Sequence, residues 1–183
     1  MKRSPELPAF IKMVLFFTIL FFPGELHIFF HGETNAGAWA QDGPVVFSTW
    51  EGFEVDKCAS IWLIERFIAP GARIRFFPKG EPIREGISFD TPDARFKRSG
   101  TLSTFEALLR HYELKDPKLQ SIAAIIHDAE INTWGRKAFD TTPRLQDCIA
   151  GIMNDAKNNE EVVGKTISLF DRLYEESVLM PCS

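Results

Sequence analysis

Three helix-start signals crowd the second half of the chain, and the strand signals stop before them. Ser103 and Glu106 stand at capping-box spacing ahead of "TFEALLRHYEL". Asp116 precedes Pro117, and Thr142 precedes Pro143. Such pairs satisfy the unbonded amides of a first helical turn and pre-set its backbone angle. Leu119, Ile122, Ala123 and Ile126 then recur at helical spacing. A last helix is predicted from about Asn159 to Val178, its buried stripe formed by Val162, Val163, Ile167, Phe170, Leu173 and Tyr174. The β-branched and aromatic runs "PVVFSTW" (44–50), "ARIRFFP" (72–78) and "GISFD" (86–90) all lie earlier and read as strands. Between the first two sits "VDKCASIWLIERFIAPGA" (55–72). Asp56 can cap a helix there from about Lys57 to Ile68, and Pro70 and Gly71 stop it. The predicted order is β-α-β-β followed by about four helices. Strands do not alternate with helices beyond the first unit, so the fold class is α+β in a single domain. The opening strand–helix–strand is expected to be a parallel crossover, with strand order left open.

The first forty residues read differently. Lys2, Arg3 and Lys12 precede an uncharged apolar run, Met13–Phe22, and Ala38-Trp39-Ala40 precedes Gln41. A positive n-region, a short h-region and an A-x-A site make a secretory signal. The run is short for a membrane span, which needs roughly 20 apolar residues. Residues 1–40 are therefore expected to be a signal peptide cleaved near Ala40, leaving residues 41–183 as a periplasmic or secreted domain. An uncleaved anchor is the alternative, with membrane contact through the leader alone. The leader's acids and bases balance, so the domain keeps the formal charge of −4. With no basic stripe to neutralise phosphates, nucleic acid is excluded as a partner. The chain has three cysteines, Cys58, Cys148 and Cys182. An odd count in an exported protein leaves a thiol free or paired between chains, which admits a homodimer. Cys148 falls in an apolar helical pattern and reads as core, while Cys182 lies at the terminus.

Cys58 would be the second residue of its helix, where exposed amides, the helix dipole and Lys57 all favour a thiolate. The competing reading is a buried, inert residue. "HDAE" (127–130) sets His127, Asp128 and Glu130 near a helix end, with His127 and Glu130 on one face at a spacing that suits two ligands of one cation. A polar helix end with a satisfied histidine is the plainer account. Glu106 is explained as a cap, Asp90 as a turn residue, and Arg66 as part of a solvated face. Trp62 and Trp134 are candidates to pack near the cluster. No glycine-rich phosphate loop, G-x-S-x-G elbow or H-E-x-x-H occurs.

Taken together, "VDKCASIWLIERFIAPGA", "FDTPDARF" with "GTLSTFEALL", and "IIHDAEINTWGR" with "AGIM" resemble the chromate-resistance family. Its domain forms the C-terminal part of ChrB-type regulators and also occurs as stand-alone exported proteins. The resemblance spans roughly residues 49–178 and implies participation in chromate resistance. It marks Asp56, Cys58, Arg66, Asp90, Glu106, His127, Asp128 and Glu130 as site candidates. Where the family often carries His-Arg-Gly and then a cysteine before Thr-Phe, this chain has Arg98, Ser99, Gly100 and Ser103. The expected function is binding or sensing of a metal ion or chromate-derived species. Cys58, His127, Asp128 and Glu130 would share one polar cleft around a transition-metal ion, or Cys58 would act with Arg66 on chromate. The rivals are a metal- or thiol-dependent enzyme such as a reductase, and a docking partner of an envelope complex.

Overall fold

The computed structural model describes residues 43–176. The expected leader, its expected cleavage site and Cys182 lie outside the described residues. In chain order the elements are β1 (Val46–Trp50), α1 (Val55–Leu63), β2 (Arg73–Phe77), β3 (Ile87–Ser88), α2 (Thr104–His111), α3 (Pro117–Glu130), α4 (Thr141–Asp155) and α5 (Asn159–Glu176). This is the α+β order read from the sequence. The sheet order is β2-β1-β3, and both neighbours run parallel to β1. As the central strand, β1 buries Phe47, Ser48 and Thr49 in succession, the continuous pattern of a strand covered on both faces. Phe47 pairs with Ile74 on one side and Ile87 on the other.

β3 lies close against β1 because Gly86 precedes it. Gly86 has φ +75°, and a Cβ there would stand 2.7 Å from the Val46 carbonyl oxygen. Only glycine meets both demands. Beyond β3 the chain keeps sheet-like contact through a parallel bridge between Phe89 and Phe96.

Helix starts follow local chemistry, with two corrections. Ser103 and Glu106 form the complete capping box of α2, and Asp116 caps α3 through the Lys118 and Leu119 amides. The first helix, however, starts at Val55 with Glu54 in the N-cap position, so Asp56 does not cap it. Likewise α4 starts at Thr141, and Thr142 is inside the helix with its hydroxyl donated to Asp128. After Leu63 the first helix widens into a π-helical turn, Ile64–Ile68, closed by Ala69 N–H donating to Ile64 O at 2.8 Å.

Trp62 is the centre of the core. It is fully buried and its ring lies 5.3–6.4 Å, centroid to centroid, from Phe67, Phe105, Phe170 and Tyr174. Its Nε1 donates to Asp171 on α5 at 2.8 Å, and Arg66 grips the same carboxylate with Nε and Nη2 at 2.9 and 2.8 Å. Trp134, by contrast, is 99% exposed, so only one of the two tryptophans packs in the interior. Cys148 is buried and disulfide-bonded. No helix among the described residues is long and apolar enough to cross a membrane.

Candidate functional site

Carboxylates and cations meet where α1 begins, α2 begins and α3 ends. Asp56 is fully buried on α1, yet its carboxylate serves α2, accepting from Thr104 N at 2.7 Å and Phe105 N at 2.9 Å. The first amides of a helix lack intrahelical partners and attract negative charge, which explains the position. Burial still pushes the Asp56 carboxyl above its usual range, against the opposing effect of those amides and Arg98.

The next residue, Lys57, turns back toward the loop before its own helix. Its Nζ donates to Trp50 O at 2.9 Å and Gly52 O at 2.7 Å, and stands 3.7 Å from Asp90 Oδ2. Asp90 follows β3 with φ +53°, the left-handed region that costs a non-glycine residue about 1 kcal/mol or more. Its side chain is 3% exposed. Oδ1 accepts from the Thr104 hydroxyl at 2.9 Å, whereas Oδ2 is buried without a hydrogen bond. Burial, then the charges of Asp56 and Glu54, push the Asp90 carboxyl up to about 7, over the opposing Lys57 and Thr104.

Arg98 reaches in from the connection between β3 and α2. Its Nη2 lies 2.8 Å from Glu54 Oε1 and 3.1 Å from Glu130 Oε2, and its Nε lies 3.6 Å from Asp56 Oδ2. Nη2 is buried, and neither close contact has hydrogen-bond geometry, so charge rather than directed bonding holds the guanidinium. Burial works against its charge, but Glu54, Glu130, Asp56 and Asp90 together raise its pKa. Glu130 is itself raised, by burial first and by Glu54 next, with Arg98 opposing.

At the edge of this cluster Glu106 Oε2 accepts from Ser103 N at 2.8 Å and stands 3.0 Å from His127 Nδ1. A carboxylate oxygen accepts, so His127 Nδ1–H is the donor in this contact. The pair lines a groove of about 770 Å³ between α2 and α3, walled by Leu109, Leu114, Ala123 and Phe139.

The structure sorts the sequence candidates unevenly. Asp56 and Glu130, with Glu54, lie against Arg98, Asp90 pairs with Lys57, and Glu106 pairs with His127 on the groove between α2 and α3. Asp128 lines the same groove as Glu106 and His127, but its carboxylate is engaged within α3 and the chain after it, accepting from Asn132 Nδ2, the Ala138 and Phe139 amides and the Thr142 hydroxyl at 2.7–3.3 Å. Burial alone would raise its pKa, but these donors outweigh burial and hold it at about 2. Its work is to tie down the connection from α3 to α4. Arg66 is engaged by Asp171. Cys58 lies in the core at 0% exposure, and burial pushes its thiol up to about 12 despite a hydrogen bond with Thr166 and the nearby Lys57. The accessible thiolate expected at that helix start is not formed, because Lys57 and Cys58 leave α1 in different directions. Among the described residues, no three His, Cys, Asp or Glu side chains are already arranged to hold a metal ion. Sequence reasoning passed over Glu54, used Lys57 only as a cation beside Cys58, and noted Arg98 only as a departure from the family pattern. Each is an ordinary surface-type residue in a local window, and nothing local announces its partners.

Comparison with known proteins places this chain in a lineage. The family described as "ChrB, C-terminal domain" matches residues 47–177. The chain belongs to that family. It is also 26% identical over 166 residues to Protein ChrB of Cupriavidus metallidurans, an alignment covering 85% of this chain and 48% of that protein. The chain thus spans about half the length of that curated relative. No solved structure matches it significantly. The ChrB C-terminal domain match contains every member of the cluster, from Glu54 to Glu130.

Proposed function

We propose that this ChrB-family domain works in chromate resistance by binding a hard metal cation at the cluster of Glu54, Asp56, Asp90 and Glu130, with His127 at its edge. The observation that carries this reading is Asp90 Oδ2, a buried carboxylate oxygen without a hydrogen bond in a site where four carboxylates face two cationic side chains. A buried polar atom left unpaired costs about 1–3 kcal/mol, and a cation would remove that cost together with the repulsion that raises Asp90 and Glu130. The donors are oxygens, which suit hard cations better than soft ones. Cr(III), the product of chromate reduction, is of that class. Chromate is a dianion, and the surplus of carboxylates repels it. Cys58 plays no part in this reading, because its buried thiol offers a reductase no accessible thiolate.

Prolonged equilibrium dialysis of residues 41–183 against Cr(III) and, separately, chromate tests the proposal. We expect one Cr(III) per chain, no retained chromate, and loss of Cr(III) in Asp90→Asn. Chromate retention without Cr(III) would reverse the assignment, and retention of neither would end it. The disulfide at Cys148 supports export, since such bonds persist in oxidising compartments. N-terminal sequencing of exported material should begin at Gln41; a membrane-bound product retaining Met13–Phe22 would overturn cleavage.

A further inference from the structure

The guanidinium of Arg98 lies among the carboxylates that the cation reading uses. It contacts Glu54 and Glu130 through one nitrogen and approaches Asp56 through another. A structural arginine in such a place ordinarily presents its planar fork to a carboxylate, with two directed N–H bonds. Arg66 does this with Asp171. Arg98 does not: its buried Nη2 makes ionic contacts of 2.8 and 3.1 Å without hydrogen-bond geometry. It is held as a charge, and a charge is what a metal ion supplies without any requirement for N–H direction. The side chain is 31% exposed, so it retains a path to water. It is carried by an irregular connection rather than a helix or strand, so its departure breaks no ladder of backbone bonds. Asp90 supplies the independent sign that the cluster is short of a cation even with Arg98 in place. Its side chain is 97% buried, and Oδ2, ion-paired with the Lys57 ammonium at 3.7 Å, makes no hydrogen bond.

We propose that Arg98 is a displaceable internal counter-cation: it occupies the centre of the Glu54–Asp56–Glu130 group in the metal-free protein and is expelled to solvent when a hard cation binds. This rests on the cation-binding reading and adds its regulation. Occupancy by Arg98 keeps mutually repelling carboxylates together, and it sets a threshold, because an incoming ion must compete with a tethered one. Weak or monovalent cations lose that competition. A trivalent ion wins it.

Titration with Tb(III), a hard trivalent probe followed by its luminescence, tests the proposal on residues 41–183. We expect Arg98→Gln to bind Tb(III) at least tenfold more tightly than the wild type with unchanged stoichiometry, and Arg98→Lys, which keeps the charge, to remain near the wild-type affinity. Should Arg98→Gln fail to fold, the wild type decides by NMR. Hydrogen exchange at Arg98 Nε should accelerate when saturating Tb(III) is added. A folded Arg98→Gln that binds no more tightly, or an Arg98 Nε whose exchange is unchanged or slowed by the ion, overturns the proposal while leaving cation binding itself intact. If the wild type binds nothing and Arg98→Gln binds, the trivalent ion does not expel Arg98 and the proposal is overturned. If neither folded protein binds Tb(III), both readings fall.

Discussion

Lys57 and Cys58 are adjacent in the chain and end in opposite environments. Lys57 reaches the polar cluster, where it bonds to Trp50 and Gly52, while Cys58 is sealed in the core. Cys58→Ala should therefore leave cation binding unchanged and lower stability by about 1–2 kcal/mol, the scale of a small deletion in a packed core. Denaturant titration and metal titration of the same sample measure the two effects. An alkylating reagent that modifies Cys58 rapidly in the folded protein near neutral pH would contradict its burial. Asp90 carries the reverse lesson, since its neighbours in sequence suggest only a turn. Its pKa rises from the ordinary 3.8 to about 7. Between those values the folded protein holds a proton that the unfolded chain has already released. The contribution of this group to stability is thus full below 3.8 and is lost as pH rises toward 7. Urea unfolding across that window should show stability falling with pH, and Asp90→Asn should flatten the slope. Asp128 acts with the opposite sign, because a pKa held at about 2 contributes stability above 3.8 that is lost as pH falls toward 2.

Helix ends were legible where the capping group lies within three residues of the amides it serves. The Ser103–Glu106 box and the Asp116 cap are cases of this kind. Where the partner comes from another element, local reading assigned the wrong role. Asp56 resembled the cap of its own helix and instead caps α2, 48 positions away. Thr142 resembled the cap of α4 and instead donates to Asp128 on α3. The connection between α3 and α4 therefore depends on one carboxylate that serves two amides, an amide side chain and a hydroxyl. Hydrogen bonds to a charged acceptor contribute about 1.5–3 kcal/mol each when buried. Asp128→Ala should lower stability by at least about 2 kcal/mol and increase amide exchange through residues 131–140. Unchanged exchange at Ala138 would show that the loop is held by something else. The same substitution should leave the affinity for Tb(III) unaltered, because Asp128 stands apart from the Arg98 cluster.

The described residues form a small parallel sheet with its helices assembled around Trp62, which joins α1 to α5. Trp62→Ala should cost about 3–5 kcal/mol, the range for deleting a large aromatic from a core. A denaturant midpoint that falls without a change in slope would show that the folded state is weakened rather than unravelled. A loss below about 1 kcal/mol would mean that Phe105, Phe170 and Tyr174 close the space unaided. Periodicity and caps were enough to establish the α+β order and the number of elements, because these signals act over a few residues and report which face of each segment avoids water. They also carried the family resemblance, which is itself a pattern of short motifs. The position of β1 between β2 and β3 lay beyond them, because parallel pairing depends on where the crossovers return. So did the cluster around Arg98. Its members come from the start of α1, the end of β3, a loop, and the end of α3, and each has an unremarkable local context. Their charges interact only after packing removes the water between them, so the raised Asp90 and the captive guanidinium are consequences of tertiary structure alone.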